Sequence, residues 1–141
     1  MDKLEIEKRI NYIIEKLETL KLAIKDYEEK NLSKYERYKA LKTVERDCEE
    51  IIESAVRINQ EILSQYFIIG NTYRETFEKL LDKKIITNEK NIEKLASTTG
   101  FRNRLAHDYI NLDDKITIAS AKKILKLYPS YLLKIKDYLN K

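Results

Sequence analysis

One short run of the sequence combines a proton-transferring side chain with fixed positive charge. His107 is the only histidine among the 141 residues, and Arg102 precedes it by five positions. The unperturbed pKa of histidine, about 6.5, lets the ring give and take protons near neutral pH. The planar guanidinium of arginine is suited to binding phosphate. The pair indicates chemistry on a phosphodiester, although the same residue types also occur on solvated helix faces.

The spacing of these residues limits how they can meet. At about 100° per residue, Asn103 and His107 share one helix face, so the Asn103 amide is placed to orient the imidazole or to contact substrate. Arg102 and His107 point about 140° apart on a regular helix. They can converge through the reach of the arginine, at a helix end near His107, or across two molecules.

The chemistry favours two molecules. Cleavage of RNA by its own 2′-hydroxyl needs a base on that oxygen, often an acid on the leaving 5′-oxygen, and positive charge beside the phosphorane. One histidine cannot fill both proton-transfer roles in the same step. A symmetric homodimer supplies two histidines and two arginines around one cleft, so we expect a homodimer.

The segment from Gly100 to Tyr109, Gly-Phe-Arg-Asn-Arg-Leu-Ala-His-Asp-Tyr, resembles the motif of the HEPN-domain ribonucleases. That motif is Arg, a polar residue, three further residues and His. More narrowly, the segment is similar to the HepT-like toxins, whose motif extends to Arg-x4-His-x-Tyr. The resemblance covers the whole chain in length and helix order and implies a HEPN-like fold.

The resemblance also implies roles for individual residues. Arg102 and His107 match the catalytic pair, Asn103 the usual polar position, and Tyr109 the tyrosine of the longer motif. Members of the family are metal-independent endoribonucleases that leave a cyclic phosphate and form their site at a homodimer interface. Many are toxins paired with a nucleotidyltransferase antitoxin that attaches AMP to this tyrosine. AMP on Tyr109 would lie against Arg102 and occupy the place of the RNA phosphate.

Other polar and aromatic residues have simpler interpretations. Arg104 forms a surface ion pair with Asp108 or contacts RNA phosphate, and both interpretations remain open. Most of the ten tyrosines lie on or beside apolar stripes and are expected to pack in the core or an interface. Four neighbouring acids are interpreted as a solvent-exposed helix face: Glu45, Asp47, Glu49 and Glu50.

Composition predicts a single all-α domain over residues 1–141. The chain has two glycines and one proline, and 37% of its residues are charged. So few turn-forming residues favour long helices with short connections. The net charge of +4 is a weak preference for polyanions such as RNA. We expect an up-down bundle of four to five helices.

The same composition limits the cellular compartment and the ligands that we expect for the protein. The one cysteine, Cys48, excludes an internal disulfide, fits a reducing compartment, and lies on an apolar stripe as a buried small hydrophobe. No apolar run approaches the roughly 20 residues of a membrane span, and the charged N-terminus does not resemble a signal peptide. We therefore expect a cytoplasmic protein without membrane contact. One histidine and one cysteine predict no metal site and no cofactor.

Apolar residues at alternating steps of three and four predict the helices. The first runs from Asp2 to Lys30 and the second from Lys34 to Gln65, antiparallel to it, with Ser33 as N-cap. A break near residues 69–71 precedes a short third helix.

Thr72 and Glu75 predict a capping box for this third helix. Residues 85–88, Ile-Ile-Thr-Asn, are interpreted as a turn with a cap before a fourth helix that carries the motif. Gly100, inside that helix, permits a close approach or a kink, or merely accommodates packing. A fifth helix starts at Asp113 or Thr117, and Pro129 is expected to kink or divide it.

Two other functions compete with a nuclease toxin. In the first, the chain is a non-catalytic nucleotide-binding or adaptor subunit that presents Tyr109 to a nucleotidyltransferase. In the second, it is a structural helical bundle with an accidental motif.

Overall fold

The computed structural model describes residues 1–107 and 113–141 and contains five helices in that part of the chain. Their bounds are α1 Lys3–Tyr27, α2 Lys34–Ser64, α3 Tyr73–Asp82, α4 Glu89–His107 and α5 Asp114–Leu139. No strand occurs within these described ranges. The prediction of an all-α bundle of four to five helices is confirmed, at its upper number.

Side-chain caps fix the starts of the two long N-terminal helices. Asp2 accepts a hydrogen bond from the Glu5 N–H at the start of α1. Ser33 caps α2 as predicted, and Glu36 reciprocates by accepting from the Ser33 N–H, which completes a capping box. These bonds satisfy N–H groups that have no partner inside the helix.

α1 ends at Tyr27, three residues before the predicted end at Lys30. The guanidinium of Arg37, from the first turns of α2, donates to the carbonyl oxygens of Tyr27 (2.6 Å) and Glu29 (3.1 Å). A tertiary side chain therefore takes up carbonyl groups that a longer α1 would have used internally. The end of α2 differs from its prediction by one residue.

α1 and α2 form an antiparallel hairpin. Contacts join the Asp2 N–H to Glu61 (2.7 Å), Tyr12 to Glu50 (2.9 Å) and Thr19 to Asp47, so residue numbers rise along one helix as they fall along the other. Isoleucine, leucine and valine side chains at the predicted spacing fill the seam and are buried. Cys48 is buried among them, and burial raises the pKa of its thiol.

The predicted solvent-exposed acidic face is wrong for Asp47. Its carboxylate is buried, accepts a hydrogen bond from Thr19 Oγ1 at 2.6 Å and lies 3.9 Å from Lys16 Nζ. Burial raises its pKa, opposed by that hydrogen bond and by the Lys16 charge. Glu50 is half-buried, yet hydrogen bonds from Tyr12, Lys16 and others hold its pKa below the ordinary value. These acids belong to the α1–α2 seam.

A buried polar chain joins α5, α2 and α3. The hydroxyl of Tyr131 lies 2.5 Å from Asn59 Oδ1 and 3.1 Å from the Ala55 carbonyl oxygen. The Asn59 amide donates to Thr76 Oγ1 at 3.2 Å, and Thr76 donates to the Tyr73 carbonyl oxygen at 2.7 Å. The Tyr131 hydroxyl, both polar atoms of the Asn59 amide and the Thr76 hydroxyl thus all have hydrogen-bond partners, as buried polar atoms require.

The start of α3 confirms half of the predicted capping box. Thr72 accepts from the Glu75 N–H at 3.1 Å, whereas the Glu75 carboxylate accepts from the Asn71 N–H rather than from that of Thr72. Gly70 precedes this cap, and a Cβ built there would lie 2.8 Å from Thr76 Cγ2. The chain therefore needs glycine at residue 70 to pass α3 closely.

Two helices end with a left-handed residue that is not glycine. Phe67 follows α2 with φ 57°, and Lys84 follows α3 with φ 58°. After α2, the Phe67 N–H bonds to the Ser64 carbonyl oxygen and the Ile68 N–H to that of Leu63. This pattern is a Schellman motif, in which glycine usually occupies the left-handed position.

The structure decides between alternatives for three further expectations. Pro129 does not divide α5, which is continuous from Asp114 to Leu139 and capped by Asp113. A Cβ at Gly100 would meet no atom of the described residues within 4 Å, so close packing inside this protomer does not require that glycine. Of the tyrosines expected in the core or an interface, Tyr128 and Tyr131 are in the core, whereas Tyr38 on α2 is exposed in the protomer, so only an interface stays a prediction for it.

Among the described residues, no helix has the length and hydropathy needed to cross a membrane.

Replacing Asn59 with alanine should lower the free energy of unfolding by about 2–4 kcal/mol, because Tyr131 and Thr76 both lose a buried hydrogen-bonding partner. Urea denaturation measures this change. Asn11→Ala, at an exposed site on α1, is the matched control and should shift stability by less than about 0.5 kcal/mol. Equal stability of the two variants would contradict the structural importance of the network.

Candidate functional site

α4 presents the predicted site residues on and around its outer face. Asn88 accepts a hydrogen bond from the Asn91 N–H at 3.3 Å and is therefore the cap in the turn predicted over residues 85–88. Phe101 and Leu105 are buried against the rest of the bundle. With these two residues turned inward, Asn103, Arg104 and His107 are exposed and Arg102 lies at the boundary.

Arg102 is held by two side chains from other helices. Its side chain is only 18% exposed, with Nη2 3.9 Å from Glu53 Oε2 on α2. The guanidinium carbon lies 4.9 Å from the ring centroid of Tyr73, the first residue of α3. A cation over an aromatic face is attracted by the ring's negative face. Two helices thus fix where this positive charge is presented.

The guanidinium of Arg102 keeps unused hydrogen-bonding capacity. Its Nε is buried and has no hydrogen-bond partner among the described residues. The ion pair to Glu53 is long, and Glu53 is shared with Arg57 Nη2 at 3.3 Å. One carboxylate therefore faces two guanidinium groups, which leaves positive charge here for an anion.

A groove between α1 and α2 adjoins the same carboxylate. It has a volume of about 350 Å³ and is open to solvent. Glu53 belongs both to its lining and to the contact with Arg102, so the groove lies beside the candidate site. Its lining carries three cationic and two acidic side chains in addition to Tyr12 and Ser54: Lys8, Arg9, Arg57, Glu50 and Glu53.

His107 is the last described residue of α4 and is exposed. Asn103 is exposed one turn earlier, on the same face, as the spacing predicts. Within the described ranges no hydrogen bond or ion pair joins His107 to Arg102. The two predicted catalytic residues, Arg102 and His107, therefore lie on one helix of the protomer with no hydrogen bond or ion pair between them among the described residues.

Two predictions concern residues 108–112, outside the described residues. Tyr109, the predicted modification site, is one of them. Asp108, the predicted partner of Arg104, is another. Arg104 itself is exposed.

Sequence patterns did not identify Tyr73 and Glu53 as part of the site. Tyr73 is 29 positions and Glu53 is 49 positions before Arg102, and both contacts depend on how α2, α3 and α4 pack. Tyr73 lies on the apolar repeat of α3, four positions before Phe77, so its spacing indicates only core packing, and Glu53 is one of many acids on α2. A partly buried arginine on a motif helix implies only that some partner exists.

Comparison with known proteins places this geometry in a family. Residues 12–135 match the family described as Ribonuclease HepT-like. A protein named tRNA nuclease HepT, from Aphanizomenon flos-aquae (strain 2012/KM1/D3), is 32% identical over 140 residues, covering 95% of this chain and 89% of its own length.

Solved structures share the fold. The cytosolic protein of unknown function YutE from Bacillus subtilis superposes with a TM-score of 0.80 at 17% identity, over 99% of this chain and 91% of its own. A crystal structure described as a toxin-antitoxin with AMP-PNP gives a TM-score of 0.68 at 23% identity, over 90% and 98%. At these identities the likeness concerns the fold alone. The match over residues 12–135, together with the 32% identical relative, shows that this chain belongs to the HepT-like ribonuclease family.

Proposed function

We propose that the protein is a metal-independent endoribonuclease toxin of a toxin-antitoxin pair, with its site in a homodimer cleft. The observation that carries the proposal is the arrangement on α4. Tyr73 and Glu53 hold Arg102, whose Nε has no hydrogen-bond partner among the described residues, and His107 is exposed on the same helix. Membership of a ribonuclease family supports the same conclusion.

In the proposed reaction the imidazole of His107 removes the proton from a ribose 2′-hydroxyl. The 2′-oxygen attacks the adjacent phosphorus, the bond to the 5′-oxygen breaks, and a 2′,3′-cyclic phosphate remains. The leaving oxygen takes a proton from a second imidazole, which must be protonated at that moment. Arg102 stabilises the negative charge that grows on the phosphorane oxygens. Asn103 orients the imidazole or the RNA, and Arg104 binds a neighbouring phosphate.

The exposed face of α4 supports a homodimer. No atom of the described residues lies within 4 Å of a Cβ built at Gly100, which lies two positions before Arg102 and three before Asn103. A glycine inside a helix costs about 1 kcal/mol relative to alanine, and nothing in the described protomer compensates for it. The close approach of α4 from a second copy would use that missing side chain, and it would bring a second His107 to the site.

The RNA and the partner are proposed from relatives. The name of the 32% identical relative, tRNA nuclease HepT, supports tRNA as the substrate class. The fold relative crystallised as a toxin-antitoxin with AMP-PNP supports a nucleotidyltransferase antitoxin as partner. We propose that this partner transfers AMP from ATP to the hydroxyl of Tyr109, releasing pyrophosphate and blocking the phosphate position beside Arg102.

Unmodified protein should cleave tRNA in EDTA, and His107→Ala should lower the rate at least about a hundredfold, the usual contribution of general acid–base catalysis. Arg102→Ala should cost a similar factor because it removes the charge beside the phosphorane. Gel analysis of purified protein, with its intact mass recorded beforehand, measures both effects. Lys94→Ala, at an exposed site on α4, should cleave like wild type. Intact tRNA under all conditions would favour the non-catalytic adaptor instead.

Gly100→Leu should leave the protomer folded, because no atom of residues 1–107 or 113–141 lies within 4 Å of the new Cβ and leucine favours helix. If α4 pairs with its copy, the added side chain separates the protomers and cleavage falls. Sedimentation velocity, circular dichroism and tRNA cleavage test the three parts. Lys94→Leu, roughly 120° around the same helix, is the control and should remain dimeric. A fully active dimer of Gly100→Leu would refute an α4 interface.

Incubation with the partner nucleotidyltransferase and ATP should raise the intact mass by one AMP unit and abolish tRNA cleavage. Tyr109→Phe has no acceptor hydroxyl, so it should gain no mass and stay active in the same mixture. Peptide mass spectrometry locates the modification. AMP found on another residue, or a modified protein that still cleaves, would overturn the proposed role of Tyr109.

A further inference from the structure

The turn after α2 places large apolar side chains in water. Phe67 is 95% exposed and Ile69 is 78% exposed. We call residues 66–69 the α2–α3 tip. Single exposed apolar residues are ordinary on protein surfaces, but two within three positions of a tight turn form a patch that suits a ligand.

Phe67 has an unfavourable backbone conformation. Its φ of 57° lies in the left-handed region, which is unfavourable for a side chain with a Cβ and is the usual place for glycine at a helix end. Because the ring is exposed in this protomer, hydrophobic burial does not offset this conformational cost. A ring that is both conformationally unfavourable and unpacked is best explained by a contact with another molecule.

The neighbouring ring is fixed in position. The hydroxyl of Tyr66 lies 2.8 Å from that of Tyr138 on α5, and Gln65 Nε2 donates to the same Tyr138 hydroxyl at 2.9 Å. The Schellman hydrogen bonds hold the backbone on either side. The Tyr66 ring and the backbone that carries Phe67 are therefore held in position, which reduces the conformational freedom lost when a ligand binds.

Positive charge borders the tip. Lys83 Nζ lies 5.3 Å from the ring centroid of Tyr66, and Lys84 follows it. Aromatic rings beside cationic side chains are the combination that binds single-stranded nucleic acid, because bases stack on the rings while phosphates meet the cations. A protein partner could use the apolar rings as well but would not need the adjoining cations.

The tip lies within reach of the candidate site. Phe67 is six residues before Tyr73, whose ring holds Arg102. Six extended residues span at most about 20 Å. An RNA strand of a few nucleotides can therefore reach from the Phe67 ring to the guanidinium of Arg102.

We propose that the α2–α3 tip stacks an unpaired base of the RNA substrate, a few nucleotides from the cleaved phosphate. The proposal rests on the proposed function and narrows it. The face of a base is free to stack on a side chain only where the base is unpaired and splayed from its neighbours. The substrate is then a loop or single-stranded segment, and a continuous duplex is a poor ligand.

Equilibrium binding tests this independently of cleavage. Fluorescence anisotropy in EDTA, in the His107→Ala background, measures the Kd of a fluorescein-labelled single-stranded oligoribonucleotide and of its duplex. Phe67→Gly should weaken single-strand binding roughly tenfold or more and leave duplex binding unchanged. Phe67→Tyr, which keeps a ring, should bind like the parent. Leu22→Ala removes an exposed apolar side chain on α1 and should also bind like the parent.

The outcomes separate the two proposals. Phe67→Gly should melt no lower than the parent, because glycine relaxes the left-handed residue; Phe67→Asn, also tolerant of that conformation, is a second ring-free variant. Unchanged single-strand affinity in both would overturn the tip as an RNA site. Unchanged RNA affinity with lost binding to the nucleotidyltransferase would assign it to protein docking instead. If binding depends on the Phe67 ring but the wild type never cleaves the RNA, the proposed nuclease activity is wrong and the RNA-binding role of the tip stands.

Discussion

The packing of three helices in this molecule depends on the buried hydrogen bonds of the Asn59 amide. Buried on α2, it accepts from Tyr131 of α5 and donates to Thr76 of α3. Three helices are thereby set in one register, since a buried amide without both partners would lose more than the bonds contribute. Thr76 passes the constraint to the start of α3, where Gly70 lets the chain approach closely. Thus the place of Tyr73, and through it of Arg102, depends on a hydrogen bond that involves no residue of α4.

This dependence explains how a helix bundle whose surface carries both acidic and basic side chains can hold one guanidinium, that of Arg102, in a defined position. Arg102 receives its geometry from an aromatic face and a distant carboxylate, neither of which saturates the guanidinium. A closer, bidentate carboxylate would hold the side chain more firmly but would also occupy the donors that a phosphate needs. Tyr73 and Glu53 therefore fix the position of the Arg102 guanidinium without neutralising its charge. His107 has no such support in the described protomer, which is consistent with a site that two copies complete.

Periodicity in the sequence predicted the helices because burial follows the 3.6-residue repeat, and the predicted caps at Ser33 and Thr72 followed from local side-chain chemistry. The failures concern tertiary contacts. Asp47 is buried because Thr19 and Lys16 meet it across a seam, and α1 stops early because Arg37 reaches back to it. Likewise, the motif indicated Arg102 and His107, but only packing brings Tyr73 and Glu53 to the arginine.

The burial of Cys48 on α2 allows the opening of the surrounding core to be measured in the unaltered protein. The thiol is completely buried, and burial raises its pKa. Thiol reagents attack the thiolate, so the native protein is protected twice, by access and by ionisation. Alkylation of this one cysteine therefore proceeds only through molecules in which the core around this part of α2 has opened. The rate of labelling reports that opening equilibrium, with no probe introduced into the chain.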